Sequence, residues 1–160
     1  MSAPAKIAVH RSAEVMPILR DLLGRAIQIK DLPPIKTPEG FYSVATYDRE
    51  DGSLSAACAM DLQLSASLAA ALTLVPKGIA DESVKAKKLE EMLEESLQEV
   101  FNVSGRFFNG ANSPRVIMKW RGHLPLTPER QKFFMTAPTR YAMEVSVTGY
   151  AAGKMILMAN

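Results

Sequence analysis

Four polar residues fall nearly in line when residues 82–108 are laid on a helix: Glu95, Glu99, Asn102 and Arg106, at i, i+4, i+7 and i+11. Glu99 and Asn102 place an ion-pairing carboxylate one turn from a neutral amide. An amide both donates and accepts hydrogen bonds and does not titrate. Glu91, Glu94 and Gln98 flank the stripe, and Leu89, Met92, Leu93, Leu97, Val100, Val103 and Phe107 form an apolar side. Carboxylates midway along a helix gain little from its dipole, so they serve either solvation or a partner. Any surface helix shows such a polar face, and the pattern alone leaves both meanings open.

No other residues gather into a recognisable chemistry. His10 and His123 are the two histidines, and neither has the spacing of a zinc ligand. Arg121-Gly122-His123 reads as a loop. Ser104 precedes Gly105 without a Gly-x-Ser-x-Gly elbow, and Gly149 to Gly153 suits a hairpin turn better than a phosphate-binding loop. Cys58 is the one cysteine and lies in an apolar strand-like stretch, which fits a buried thiol in a reducing compartment.

The elements that must position the stripe follow from periodicity and punctuation. Ser12 is expected to cap a first helix running to about Gly24, and Asp31 to Gly40 reads as a proline-containing connector. Phe41–Asp48 and Leu54–Asp61 form a hairpin around Arg49-Glu50-Asp51-Gly52, leading into a short helix from Ser65 to about Val75. Asp81 then caps the longest helix, Glu82 to Phe108. A strand at Arg115–Trp120, a short helix opened by Thr127-Pro128 and ending at Met135, and a second hairpin of Arg140–Thr148 and Lys154–Met158 complete the chain. This order predicts an α+β fold, a mostly antiparallel sheet packed against two or three helices. Residues 1–40 read as a helix and connector that could form an arm, and residues 41–160 as the α+β body.

The bulk properties agree with one globular domain. The chain has 160 residues, 48% hydrophobic and 22% charged, with a net charge of +2. Basic residues are spread along the chain, so no nucleic-acid footprint is expected. Met1 to Lys6 lacks the pattern of a signal peptide, and the longest apolar run, Leu68 to Val75, is too short to span a bilayer. A cytoplasmic protein is the expectation.

The segment Glu95-Ser-Leu-Gln-Glu99-Val-Phe-Asn102-Val103 resembles the CheC/CheX/FliY family of chemotaxis phosphatases, whose exposed helix carries an acidic or Ser residue, three residues, Glu, two residues and Asn. The surrounding order, from Phe41 through Ser113-Pro114 to the closing hairpin, is similar to that family over residues 41 to 158, with one motif copy as in CheX-like members. The departures are Gly105 three residues after the Asn and Pro114 twelve after it, where the family places them at four and about twenty.

The resemblance implies that Asn102 orients a water for in-line attack on the aspartyl phosphate of a response-regulator receiver domain, and that Glu99 pairs with a receiver lysine. Glu95 and Arg106 would be partner contacts. No tightly bound cofactor is expected, since Mg²⁺ would come from the receiver. Two other readings stand beside it: a non-catalytic interaction module of the same fold, and a homodimer made by an edge strand such as Lys154–Met158.

Overall fold

The structure is a computed structural model that describes residues 6–36, 38–110 and 112–160. In chain order the elements are α1 (Ser12–Leu23), β1 (Ile27–Leu32), β2 (Tyr42–Arg49), β3 (Leu54–Asp61), α2 (Leu62–Leu72), α3 (Lys77–Ala86), α4 (Glu91–Ser104), a 3₁₀ turn (Gly105–Phe108), β4 (Val116–His123), α5 (Pro128–Thr136), β5 (Thr139–Val147) and β6 (Gly153–Ala159). The six strands form one sheet in the order β1-β5-β6-β3-β2-β4, every neighbouring pair antiparallel. The fold is α+β, with α1, α2 and α4 on one face of the sheet and α5 on the other.

Alternation along the strands builds the two layers. Ala45 and Tyr47 on β2, Cys58 and Met60 on β3, and Met155 and Leu157 on β6 face the helices. Tyr42, Val44, Ala57, Ala59, Ile156 and Met158 face α5 and its buried Phe134. Burial pushes the Cys58 thiol far up, so it stays protonated. α2 lies at the centre of the helical layer and is buried on nearly every side, which its Ala66, Ala69, Ala70 and Ala71 permit by letting neighbours approach closely. Asp61 caps it by accepting from the Leu64 N–H at 2.8 Å. β6 starts against this same turn: a Cβ on Gly153 would lie 2.4 Å from the Leu64 nitrogen, so the close approach requires glycine.

Several expectations are corrected. The N-terminal segment is no arm, because Val15 and Leu19 are fully buried and β1 pairs with β5 along its whole length. α1 begins at Ser12 with Arg11 as its N-cap residue, where the Glu14 carboxylate accepts from the Arg11 N–H. α2 starts three residues earlier than Ser65. The 27-residue helix is two helices broken at Lys87, whose φ of 56° is left-handed, and Asp81 sits inside α3 paired with Lys77 at 2.7 Å. Lys154–Met158 is not an edge: β6 lies between β5 and β3, and the edges of the sheet are β1 and β4.

The buried side of α4 is also turned from the expected one. Leu93, Ser96, Leu97, Val100, Phe101 and Ser104 face inward, while Met92 is 47% exposed and Val103 is partly so. The two serines tolerate burial because each hydroxyl donates to its own helix, Ser96 to Met92 O at 3.0 Å and Ser104 to Val100 O at 2.8 Å. At the C-terminal end, where helix carbonyls lack intrahelical partners, the Tyr47 hydroxyl donates to the Phe101 carbonyl at 2.6 Å.

Two outcomes follow from these anchors. Tyr47→Phe leaves the buried Phe101 carbonyl without its donor and should lower stability by about 1–3 kcal/mol, measured by urea unfolding. Burial raises the Asp61 carboxyl above its ordinary range in spite of the Leu64 hydrogen bond. A raised acid favours its neutral form in the folded chain, so its contribution is best below the unfolded value of about 3.9 and is lost as pH rises through the folded value. Asp61→Asn keeps a capping oxygen and removes that titration. The variant should therefore gain on the parent between pH 4 and pH 7 in unfolding midpoint; a relative loss over that range would contradict the assignment.

Candidate functional site

Glu95, Glu99 and Asn102 all lie exposed on one side of α4, opposite its buried stripe. Glu99 and Asn102 are one turn apart, a spacing that sets their Cβ atoms at about 5–6 Å. Among the described residues, none of the three side chains makes a hydrogen bond or ion pair within the chain, so their polar atoms face outward. Arg106 is exposed too, but it belongs to the 3₁₀ turn. At three residues per turn it leaves the line that a continuous α-helix would have drawn. The structure thus keeps three of the four residues on one rigid stripe and sets Arg106 past its end.

Asn102 sits on the last turn of α4, which is held from below. Phe101, its chain neighbour, is fully buried, and the Tyr47 hydroxyl binds the Phe101 carbonyl. Gly105 opens the following turn beside the Tyr47 ring, which a Cβ at that position would touch at 3.4 Å. Fixing the backbone this way leaves Asn102 only side-chain freedom, which favours a repeatable presentation of its amide.

The edge strand β4 supplies residues that lie outside the Glu-x-x-Asn motif. Arg121 Nε donates to Gln98 Oε1 at 2.8 Å and its Nη1 donates to Glu94 Oε2 at 2.7 Å. Glu94 Oε1 lies 3.1 Å from His123 Nε2. His123 is therefore the last residue of a strand, not a loop residue, and its ring packs on Phe41 with centroids 4.8 Å apart. A bulge re-aims these side chains: the register shifts between Thr46 and Tyr47, so Met118 and Arg121 both face the helices while Trp120 turns to the other layer. Arg121 and His123 alternate beyond Trp120 in the sequence, but nothing local marks the bulge that aims them at α4.

The described residues contain no group of three or more His, Cys, Asp or Glu side chains that could hold a metal ion. They include no helix long and apolar enough to cross a membrane.

No family sequence model matches the chain, and no curated protein does. Solved structures do match its shape. The FliM middle domain from Vibrio alginolyticus superposes with a TM-score of 0.60 at 10% identity, over 92% of this chain and 88% of that one. Thermotoga maritima FliY gives 0.56 at 15% identity, over 90% and 81%. The CheX–CheY–BeF3–Mg²⁺ complex from Borrelia burgdorferi gives 0.53 at 17% identity, over 89% and 90%. The six-stranded antiparallel sheet with its central alanine-rich helix therefore has a CheC/CheX/FliY-like fold.

Proposed function

We propose that the chain is a chemotaxis or motility signalling protein that docks on a phosphorylated receiver domain through α4 and accelerates loss of its aspartyl phosphate. The observation that carries this reading is the Glu99–Asn102 pair, outward and unengaged on a helix whose other side is locked into the core. The likeness to a CheX crystallised with CheY supports a receiver as partner. Docking would place the Asn102 amide against a water in line with the phosphorus, while Glu99 meets a receiver lysine and Glu95 extends the contact. Phosphoryl transfer gains chiefly from positioning and charge stabilisation, so one well-held amide is a sufficient addition to a site that the receiver, with its own Mg²⁺, mostly supplies.

A non-catalytic interaction module is the second reading. The 3₁₀ turn directly after α4 favours it, since that turn diverts Arg106 and the bulky Phe107 and Phe108 where the phosphatase pattern continues otherwise. Similarity to FliM crystallised in complex with FliG and with SpeE supports it as well.

One experiment separates the two. The receiver from the same organism is phosphorylated, and phosphate loss is followed with the parent chain, Asn102→Ala and Glu99→Ala. The phosphatase reading expects Asn102→Ala to lower the stimulated rate by roughly 100-fold, the scale of a lost positioning contact. Because Asn102 is exposed, the change in unfolding free energy should stay within about 0.5 kcal/mol. Glu99→Ala should weaken docking more than turnover. Binding by the parent chain with no acceleration would select the module, and a stability loss above about 2 kcal/mol for Asn102→Ala would make that residue structural.

A further inference from the structure

A groove of about 700 Å³ opens at the N-terminal end of α4, where the left-handed Lys87 separates α3 from α4. Its floor is apolar, made by Phe41, Ala86 and Leu89, and its wall carries the carboxylates of Glu90, Glu91 and Glu94. Among the described residues, Lys88 is the lysine or arginine that lines the groove, from the helix break. Arg121 and His123 are both directed at Glu94, so Glu90 and Glu91 stay uncompensated by β4.

Glu91 also begins the outward stripe. Glu91, Glu95, Glu99 and Asn102 follow at i, i+4, i+8 and i+11, so the groove and the candidate pair share one side of one helix. At about 1.5 Å per residue, Glu91 and Asn102 are roughly 16 Å apart, within the footprint of a single docked domain.

We infer that this groove is an anchor site for a partner protein segment that presents one aliphatic or aromatic side chain beside a lysine or arginine. The apolar side chain fills the space over Leu89 and Ala86 and stacks against Phe41. The neighbouring cation meets Glu90 and Glu91. An acidic rim repels segments that carry a carboxylate at that position, so the rim selects among partners as much as it binds them. This deepens the docking reading given above, since it names what the partner brings to the far end of the stripe, but it needs no phosphoryl chemistry.

The test uses the full chain labelled with ¹⁵N and two capped tetrapeptides, Gly-Leu-Arg-Gly and Gly-Leu-Glu-Gly. The arginine peptide should shift the backbone amides of Ala86, Leu89, Glu91 and His123, and bind at least tenfold more tightly than the glutamate peptide. Ala86→Trp, made at an exposed helix end, fills the groove and should abolish the shifts. Glu90→Lys combined with Glu91→Lys leaves the groove open and should reverse the preference. Equal shifts from both peptides, no shifts, or shifts confined to other surfaces would overturn the assignment. Shifts of the same amides on raising protein concentration without peptide would also overturn it, giving the groove to a second copy of the chain. Since no receiver is present, failure of the phosphatase assay and failure of this assay are independent results.

Discussion

Everything outward on α4 depends on how its inward side is closed, and that closure centres on one buried tyrosine. A helix that ends inside a protein leaves carbonyls with no water to bind them, at a cost of about 1–3 kcal/mol for each one left unpaired. Tyr47, on the strand beside the β4 edge, meets the Phe101 carbonyl from beneath, and burial keeps its phenol protonated and able to donate. The same ring packs on Phe108 with centroids 5.3 Å apart, so the helix end and the turn after it are held by one side chain. With the backbone around Phe101 and Ser104 fixed in this way, Asn102 is turned outward by helical geometry alone.

The strand and hairpin pattern was legible because it rests on local signals. Asp51-Gly52 between two β-rich runs marks the β2–β3 hairpin, and the closing hairpin has the same character around Gly149 to Gly153. The helix break at Lys87 was less visible, since apolar residues continue at helical spacing on both sides of it. Charge carried the missing signal. Lys85, Lys87 and Lys88 end one helix and Glu90, Glu91 and Glu94 begin the next, which is the arrangement that two helix dipoles favour and one long helix does not. β1 was missed because Gln28, Lys30 and Asp31 give an edge strand a polar look, and its pairing with β5 joins residues about 120 positions apart.

The candidate site divides in the same way. Glu95, Glu99 and Asn102 could be placed from spacing, since an intact helix fixes their relation. Arg106 could not, because whether a helix tightens to 3₁₀ over its last turn depends on what it meets, here the Tyr47 ring against Gly105. Arg121 and His123 were hidden for a tertiary reason. Their direction is set by a bulge whose extra residue has no local sequence mark, and without it the alternation would aim them at the α5 layer. A Cβ on Gly122 would lie within 2.6 Å of the Trp120 indole, so position 122 must be glycine for that ring to turn across the strand.

Around its few buried aromatics the core is made of interchangeable parts: alanines on α2, aliphatic and methionine side chains on the sheet, and serines that bond to their own helix. Many sequences of similar volume and pattern satisfy such a core, which is why the fold matches solved structures at 10–17% identity while no family sequence model finds the chain. Shape is then a poor guide to activity, and the distinguishing chemistry must lie where the fold imposes nothing. On α4 that region is the outward line from Glu91 to Asn102, whose residues contribute no packing. Glu91 gains from the helix N-terminus, whereas Glu95, Glu99 and Asn102 make no hydrogen bond or ion pair among the described residues. A partner that brings positive charge to this face of the helix, as proposed above, would give these side chains the engagement that the fold does not.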